Sequence, residues 1–324
     1  PQKDRYLFLQ ALCSAREVFS ISHLCDEGVS FVVQELLSAL DGAEIVPHTR
    51  QVYDSSKQPK PPLIPEFFTP VPIDIPKLVP MDIDVQKLFK FARHPLRYYL
   101  HEVLGVYPDF GKVDQREFLL DPLTKYQLVR AALQGIPSEA ELPVHLLEPL
   151  AKQQIQREVE EWHLAMEAFG IDRGDLESKK IDLEIGPVRL KGKVELFTSK
   201  GLLVRGKNQI EDQIRFWPQA LVMQHLGLPL LFAKDHTTFT PEGNFEEYLA
   251  YFQLSHKHPS PLVPSIAKAL LQDGDLQKAL KRVGDETFAY LFFRDPMPNA
   301  SIIQQNWSDI LQKLFGRVYE SIPN

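Results

Sequence analysis

An α/β fold is what this sequence predicts, on three observations. Residues 187–207 read as two short alternating stretches around a tight turn, Thr198-Ser199-Lys200-Gly201. Leu228 to Ala233 is an apolar run of strand length. Tracts with helical spacing lie on both sides of these stretches. A few strands flanked by helices fit a layered α/β domain. The 324 residues suffice for one large domain or two ordinary ones.

The elements follow in chain order. Leu7 to Leu12 is mostly apolar and continuous, Val18 to Ser22 alternates like a strand, and Phe31 to Leu40 has helical spacing that ends at Asp41-Gly42. Residues 59–80 carry eight prolines. Proline removes backbone donors and fixes φ, so this segment reads as an extended linker and a domain boundary. The expected division is a first piece at 1–58, the linker at 59–80 and a second domain at 81–324. Asp84 can cap a helix bearing Val85, Leu88, Phe89, Phe91 and Ala92; Pro95 breaks or restarts it, and Leu96 to Val103 carry it on to Gly105. A long helical tract spans 145–169, with acids at Glu158, Glu160 and Glu161. The hairpin comes next, then a helix over 209–226, the run at 228–233 and a mostly helical remainder to Tyr319.

Composition excludes several classes. The chain is 44% apolar and 24% charged, as globular proteins are, and no stretch is long and apolar enough to span a membrane. No basic-then-apolar leader is visible, and Pro1 is not a natural start, so a fragment of a longer chain is expected. The two cysteines, Cys13 and Cys25, form no C-x-x-C and fit a reducing cytoplasm. A net charge of −7 argues against a general nucleic-acid coat while allowing a local basic patch.

Strand side chains alternate between faces. Val188, Leu190, Gly192, Val194 and Leu196 are expected on one buried face, joined by Leu202 and Val204. Arg189, Lys191, Lys193 and Glu195 fall on the other, with Arg205 and Lys207. A metal-dependent nuclease of the PD-(D/E)xK class places two carboxylates and a lysine on such a polar face. Here Glu195 and Lys207 stand at two of those positions, and the second carboxylate is replaced by Arg205. Two unit charges about 4 Å apart interact by roughly 4 kcal/mol at an effective dielectric near 20, and a divalent ion doubles that. Exchanging −1 for +1 therefore removes useful magnesium affinity, which needs one or two good carboxylates. Glu211 and Asp212 are the nearby acids that a rescue would use.

The motifs then become familiar. Leu190 to Leu196 resembles the L-x-G-x-(I/V)-D-(L/R) strand of RecB-type nuclease domains, Leu202 to Asn208 their L-L-D-x-K-(S/T)-N strand, and Gln219 to Met223 their Q-L-x-x-Y motif with Met223 in place of tyrosine. The histidine that those domains carry in G-x-x-H has candidates in His145 and His163, neither preceded by the glycine. Leu9 to Glu17 resembles motif VI of superfamily 1 helicases, with Ser14 where an active helicase has its phosphate-contacting arginine. Phe89 to Arg97 with Leu104-Gly105-Val106, and Phe118 to Leu128, resemble segments of the RecC family, the gamma subunits of exodeoxyribonuclease V. The likeness covers most of residues 5–230.

This resemblance implies a PD-(D/E)xK, RecB-type nuclease-like domain with a degenerate active site, preceded by the end of a helicase-like superfamily 1 domain. It implies a non-catalytic subunit that assembles with RecB-like and RecD-like partners in the cytoplasm, helps split the duplex and channels single strands. It implies no cofactor in this domain, magnesium and ATP being used by the partner subunits. The degenerate positions are Glu195, Arg205, Lys207 and Ser14. Between 187 and 210 there are six basic residues and one acid, which makes Arg189, Lys191, Lys193, Arg205 and Lys207 candidates for weak contacts to DNA phosphates. The competing reading is an active magnesium-dependent exonuclease using Glu195, Lys207 and a displaced carboxylate. A nuclease-like domain from an unrelated repair protein is a third. Simpler readings apply elsewhere: His94-Pro95-Leu96-Arg97 as a helix restart, His256 and His258 as loop residues without further ligands, and Trp162 with Met166 and Phe169 as core.

Overall fold

The computed structural model describes residues 2–14, 31–39, 67–107, 122–135, 148–272, 274–284 and 298–320. By contacts the chain divides between Pro61 and Pro62, inside the proline-rich segment. In the first unit α1 spans Gln2–Ser14 and α2 spans Phe31–Ala39. The strand expected at 18–22 lies outside the described residues.

The second unit is built on a mixed six-stranded sheet. Its strands are β1 (Met81–Asp84), β2 (Glu177–Ile185), β3 (Val188–Thr198), β4 (Gly201–Val204), β5 (Leu230–Phe232) and β6 (Thr237–Phe239). The order is β1-β3-β4-β5-β6, with β2 antiparallel to β3. β1 runs parallel to β3, pairing Met81 with Val188 and Asp84 with Lys191; β4 runs parallel to β5. The expected hairpin is present, and β3 makes a second one with β2. The sequence reading had no strand at β1 or β2.

Helices cover the sheet. α3 (Val85–Arg93) starts where β1 ends, because the Asp84 carboxylate accepts the Gln86 amide at 2.8 Å. His94 ends α3 and caps α4 (Pro95–Tyr98), its Nδ1 accepting the Arg97 amide at 3.2 Å, and a π turn follows at Tyr99–Val103. The helix restart at His94-Pro95 is thus a capping device. α5 (Pro122–Gln134) and α6 (Glu148–Ala168) pack together. The helix expected over 209–226 is broken at Phe216 into α7 (Ile210–Arg215) and α8 (Trp217–His225), with Pro218 in the first turn of α8.

Two clusters show why the sheet is buried on both sides. Val194, Phe197, Leu202 and Val204 pack with Val85 and Phe89 of α3 and Ala220, Val222 and Met223 of α8. Leu203 and Leu231 point the other way, to Val129 and Leu133 of α5 and Trp162 and Met166 of α6. α7 and α8 link β4 to β5, a crossover of the kind that parallel strands require.

Strict alternation along β3 fails at one place. Leu196 has a φ of 58°, and the pairing register with β2 shifts between Glu177 and Lys179, the mark of a bulge. Leu196 therefore leaves the Val188–Val194 face, where it was expected, and packs against the α5/α6 cluster instead. Phe197 takes its place beside Val194.

The largest cluster lies under α9 (Phe245–Leu254), α10 (Pro264–Leu271), α11 (Leu276–Gly284) and α12 (Ala300–Glu320), around Phe91, Trp217, Tyr248, Tyr251, Phe252 and Trp307. Residues 67–80 are extended, as their prolines dictate, and they are packed. Phe67 is fully buried, Val71 N–H donates to Asn306 Oδ1 at 3.1 Å, and Asn306 Nδ2 donates to the Thr69 carbonyl at 3.0 Å. Gln253 Nε2 likewise donates to the Val79 carbonyl at 2.8 Å. Proline leaves few donors on such a strap, and amide side chains supply the missing partners. Among the described residues no helix is long and apolar enough to cross a membrane.

Candidate functional site

The face of the sheet toward α5 and α6 carries the polar positions of the hairpin. Alternation places Glu195 there, and the bulge brings Leu196 beside it. One Glu195 oxygen accepts from the Tyr126 hydroxyl at 2.7 Å, and the other meets Arg130 Nη1 at 2.7 Å. Burial, then the hydrogen bond to Glu195, push the Tyr126 hydroxyl up to about 12, so it remains a donor throughout the physiological range.

Arg205, just past β4, shares this side because Leu203 does. Its guanidinium donates to Glu158 Oε1 and lies 3.8 Å from Glu161 Oε2, both on α6. Glu158 is 7% exposed and has a second cation, Lys125 of α5, with Nζ 2.7 Å from Oε2. That contact is an ion pair without hydrogen-bond alignment. Protein cations thus hold two carboxylates on this side of the sheet: Arg130 on Glu195, and Arg205 with Lys125 on Glu158. Among the described residues no group of three His, Cys, Asp or Glu side chains is arranged to hold a metal.

Lys207 is exposed and anchored through its backbone, its N–H donating to Asp212 Oδ2 at 2.9 Å. The next amide, Asn208 N–H, donates to Asp235 Oδ2, and Asn208 Oδ1 accepts from Gln213. The asparagine of the second motif therefore closes the loop between β4 and α7. Asp212 is occupied further by Arg215 at 3.0 Å, and Glu211 lies 3.7 Å from the same arginine. Both acids named for a rescue are engaged in α7 itself.

The remaining basic candidates are distributed unevenly. Arg189 makes two bonds to Asp182 at 2.8 and 2.7 Å, and these hold the Asp182 carboxyl below its usual range. Lys191 Nζ lies 2.7 Å from Asp82. Among the described residues Lys193 and Lys207 have no carboxylate within ion-pair distance of their side chains. Exposed pairs of this kind contribute little and exchange readily. Ser14 ends α1 and is exposed. His145 lies outside the described residues. His163 is on α6, and burial with the nearby Arg173 holds its pKa below the usual value.

His256 is a packing residue: its ring lies edge-on to Tyr98 and Phe252, and Nδ1 sits 3.0 Å from the Phe252 carbonyl. Trp162 and Met166 are core. Met223, at the motif's tyrosine position, is fully buried.

Residues 80–275 match the family model described as the RecC C-terminal domain. The chain belongs to the RecC family. A search among curated proteins finds no match. The RecC domain match contains the whole sheet and the site, and it extends beyond residue 230, where the likeness read from motifs stops. The helicase-like segment at Leu9–Glu17 lies outside it.

The hairpin residues singled out in the sequence, Glu195, Arg205 and Lys207, lie on β3 or directly after β4, but their partners on the helices were missed. Glu158 was visible only as one acid of a tract. Its signal was position: Ala151, Ile155, Glu158, Trp162 and Ala165 form one stripe of α6, and a glutamate in that stripe must be paired or held by neighbours. Tyr126 stands at the tyrosine of the Phe118–Leu128 segment, where no contact to the hairpin was expected, and Arg130, four residues on in α5, carried no mark.

Proposed function

We propose that this chain is a non-catalytic scaffold and DNA-guiding domain with a nuclease-like sheet, acting within a RecBCD-type assembly. The observation that carries the reading is the guanidinium of Arg205 on Glu158, with Lys125 beside it, where a nuclease of this class would hold a divalent cation. A metal-centred displacement needs carboxylates left open to the ion. Here each is already neutralised by an arginine or lysine, and exchanging these cations for a metal would leave the guanidinium of Arg205 facing it.

In this reading residues 1–58 are the end of a helicase-like domain, the boundary lies in 59–80, and 81–324 is the nuclease-like domain. Partner subunits of RecB and RecD type supply the ATP- and magnesium-dependent steps. The strand face adds weak, sequence-independent contacts to phosphates, led by Lys193 and Lys207. Arg189, Lys191 and Arg205 contribute only when a phosphate displaces Asp182, Asp82 or Glu161.

Co-expression with RecB-like and RecD-like chains tests the assembly. The expected result is a stable complex that retains the chain through gel filtration. A chain that elutes alone, with the other two assembled, would contradict the reading.

A further inference from the structure

We propose that a cleft lined by arginines at the end of α3, with a lining distinct from the Glu195–Arg205 residues, binds a phosphate group of a single-stranded DNA backbone. The cleft has a volume of about 280 Å³. Arg93 of α3, Arg97 of α4, Arg215 of α7 and Arg282 of α11 all line it, against a single carboxylate among the described residues, Glu211. Four guanidiniums drawn from four separate helices do not converge by the periodicity of any one of them. In a chain of net charge −7 they make a local positive site that runs against the overall field.

The four are not equivalent. Arg215 is set in place by Asp212 at 3.0 Å and Glu211 at 3.7 Å. Arg93 and Arg282 are exposed, and among the described residues neither has a carboxylate within ion-pair distance. They are the two positioned to take a ligand. The start of α10 also lines the cleft, through Val263, Pro264 and Ser265, and the helix has no side-chain cap.

Shape and chemistry select the ligand. Guanidiniums pair with phosphate oxygens in a bidentate geometry. The cleft is at the small end of the ~300–1,000 Å³ range of ligand pockets and has room for a phosphate group. Among the described residues no Phe, Tyr or Trp lines the cleft to give a base a stacking platform. A flexible single strand can bend a phosphate into a concave site. The assignment of the phosphate to DNA rests on the proposed DNA-guiding role; the phosphate chemistry does not.

The test uses the whole 324-residue chain and two probes, a labelled oligothymidylate and inorganic phosphate. The Arg93→Ala/Arg282→Ala double variant is expected to bind the oligonucleotide at least about fivefold more weakly. Its salt dependence should flatten by about 1.4, at roughly 0.7 per lost phosphate contact. It should also lose the rise in Tm that phosphate gives the parent over chloride at equal ionic strength. Arg93→Lys/Arg282→Lys, which keeps the charge and loses the bidentate geometry, should recover part of the binding and so separates the site from a folding defect. Unchanged responses to both probes in the alanine variant would overturn the site. Loss of the phosphate effect with unchanged oligonucleotide binding would overturn DNA as the source. Neither result depends on whether the chain cleaves DNA, which is measured separately.

Discussion

Arg205→Asp is expected to destabilise the chain by about 2–4 kcal/mol in metal-free buffer, the cost of breaking a partly buried pair and adding like charge. The substitution restores the carboxylate that an active nuclease would carry. It also removes the cation on Glu158, which is only 7% exposed, and brings a negative charge toward Glu158 and Glu161. The magnitude is kept below that of a fully buried pair because Arg205 is 45% exposed and Lys125 remains on Glu158. Arg205→Lys, which keeps the sign, should cost less. Millimolar magnesium or manganese should raise the Tm of the aspartate variant and leave the parent unchanged, because only the variant has carboxylates short of cations. Chemical denaturation with and without the metal checks both statements. A variant as stable as the parent would show that Arg205 does not hold Glu158.

Gly201→Ala is expected to cost about 3–5 kcal/mol, combining backbone strain with overpacking. Gly201 has a φ of 145°, a conformation that L side chains rarely adopt. A Cβ there would come within 2.3 Å of the Pro229 carbonyl oxygen, part of the backbone entering β5. That oxygen accepts the Leu202 amide at 3.3 Å, so it cannot withdraw without loosening the β4–β5 pairing. The turn is tied down on its other side too: Lys200 Nζ donates to the carbonyls of Phe169 and Gly170, at 2.8 and 2.7 Å, and so caps the end of α6. Loosening the turn should therefore move α6 and its Glu158. Gly174→Ala, where a Cβ meets nothing within 4 Å, is the matched control and should change stability by no more than about 0.5 kcal/mol. Equal unfolding midpoints for the two variants would rule out the close approach at Gly201.

The hairpin motif has a physical reading at its other glycine as well. Gly192 has a φ of 146°, and a Cβ there would fall 2.6 Å from Val85 Cγ1 and 3.0 Å from Asp84 Oδ1. Glycine lets β3 pass the start of α3, where Asp84 caps the helix. The strand motif thus encodes packing, which is why it stays legible in a chain whose Arg205 opposes metal binding.

Much of this architecture was legible because short-range rules govern it. Asp84 and Pro95 announced helix starts, and the alternation from Val188 to Val194 announced a strand with one buried face. β2 was missed although Ile181, Leu183 and Ile185 alternate with Lys180, Asp182 and Glu184, and β1 because four residues with two aspartates have weak strand propensity. The displacement of Leu196 could not be read: a leucine at positive φ leaves no local sign, and only pairing with β2 requires it. The site was half legible for the same reason. Glu195 lies on β3, and Arg205 and Lys207 follow directly on the neighbouring β4. Their partners Tyr126, Arg130 and Glu158 come from helices that tertiary packing alone brings across the sheet.

The central claim is that protein cations occupy the place of the metal. The most direct test is a cleavage assay on labelled single- and double-stranded DNA with magnesium or manganese, using the purified chain with Glu195→Ala and Lys207→Ala beside it. The account predicts intact DNA and superimposable traces for all three proteins. Metal-dependent degradation by the parent that disappears with Glu195→Ala would contradict it.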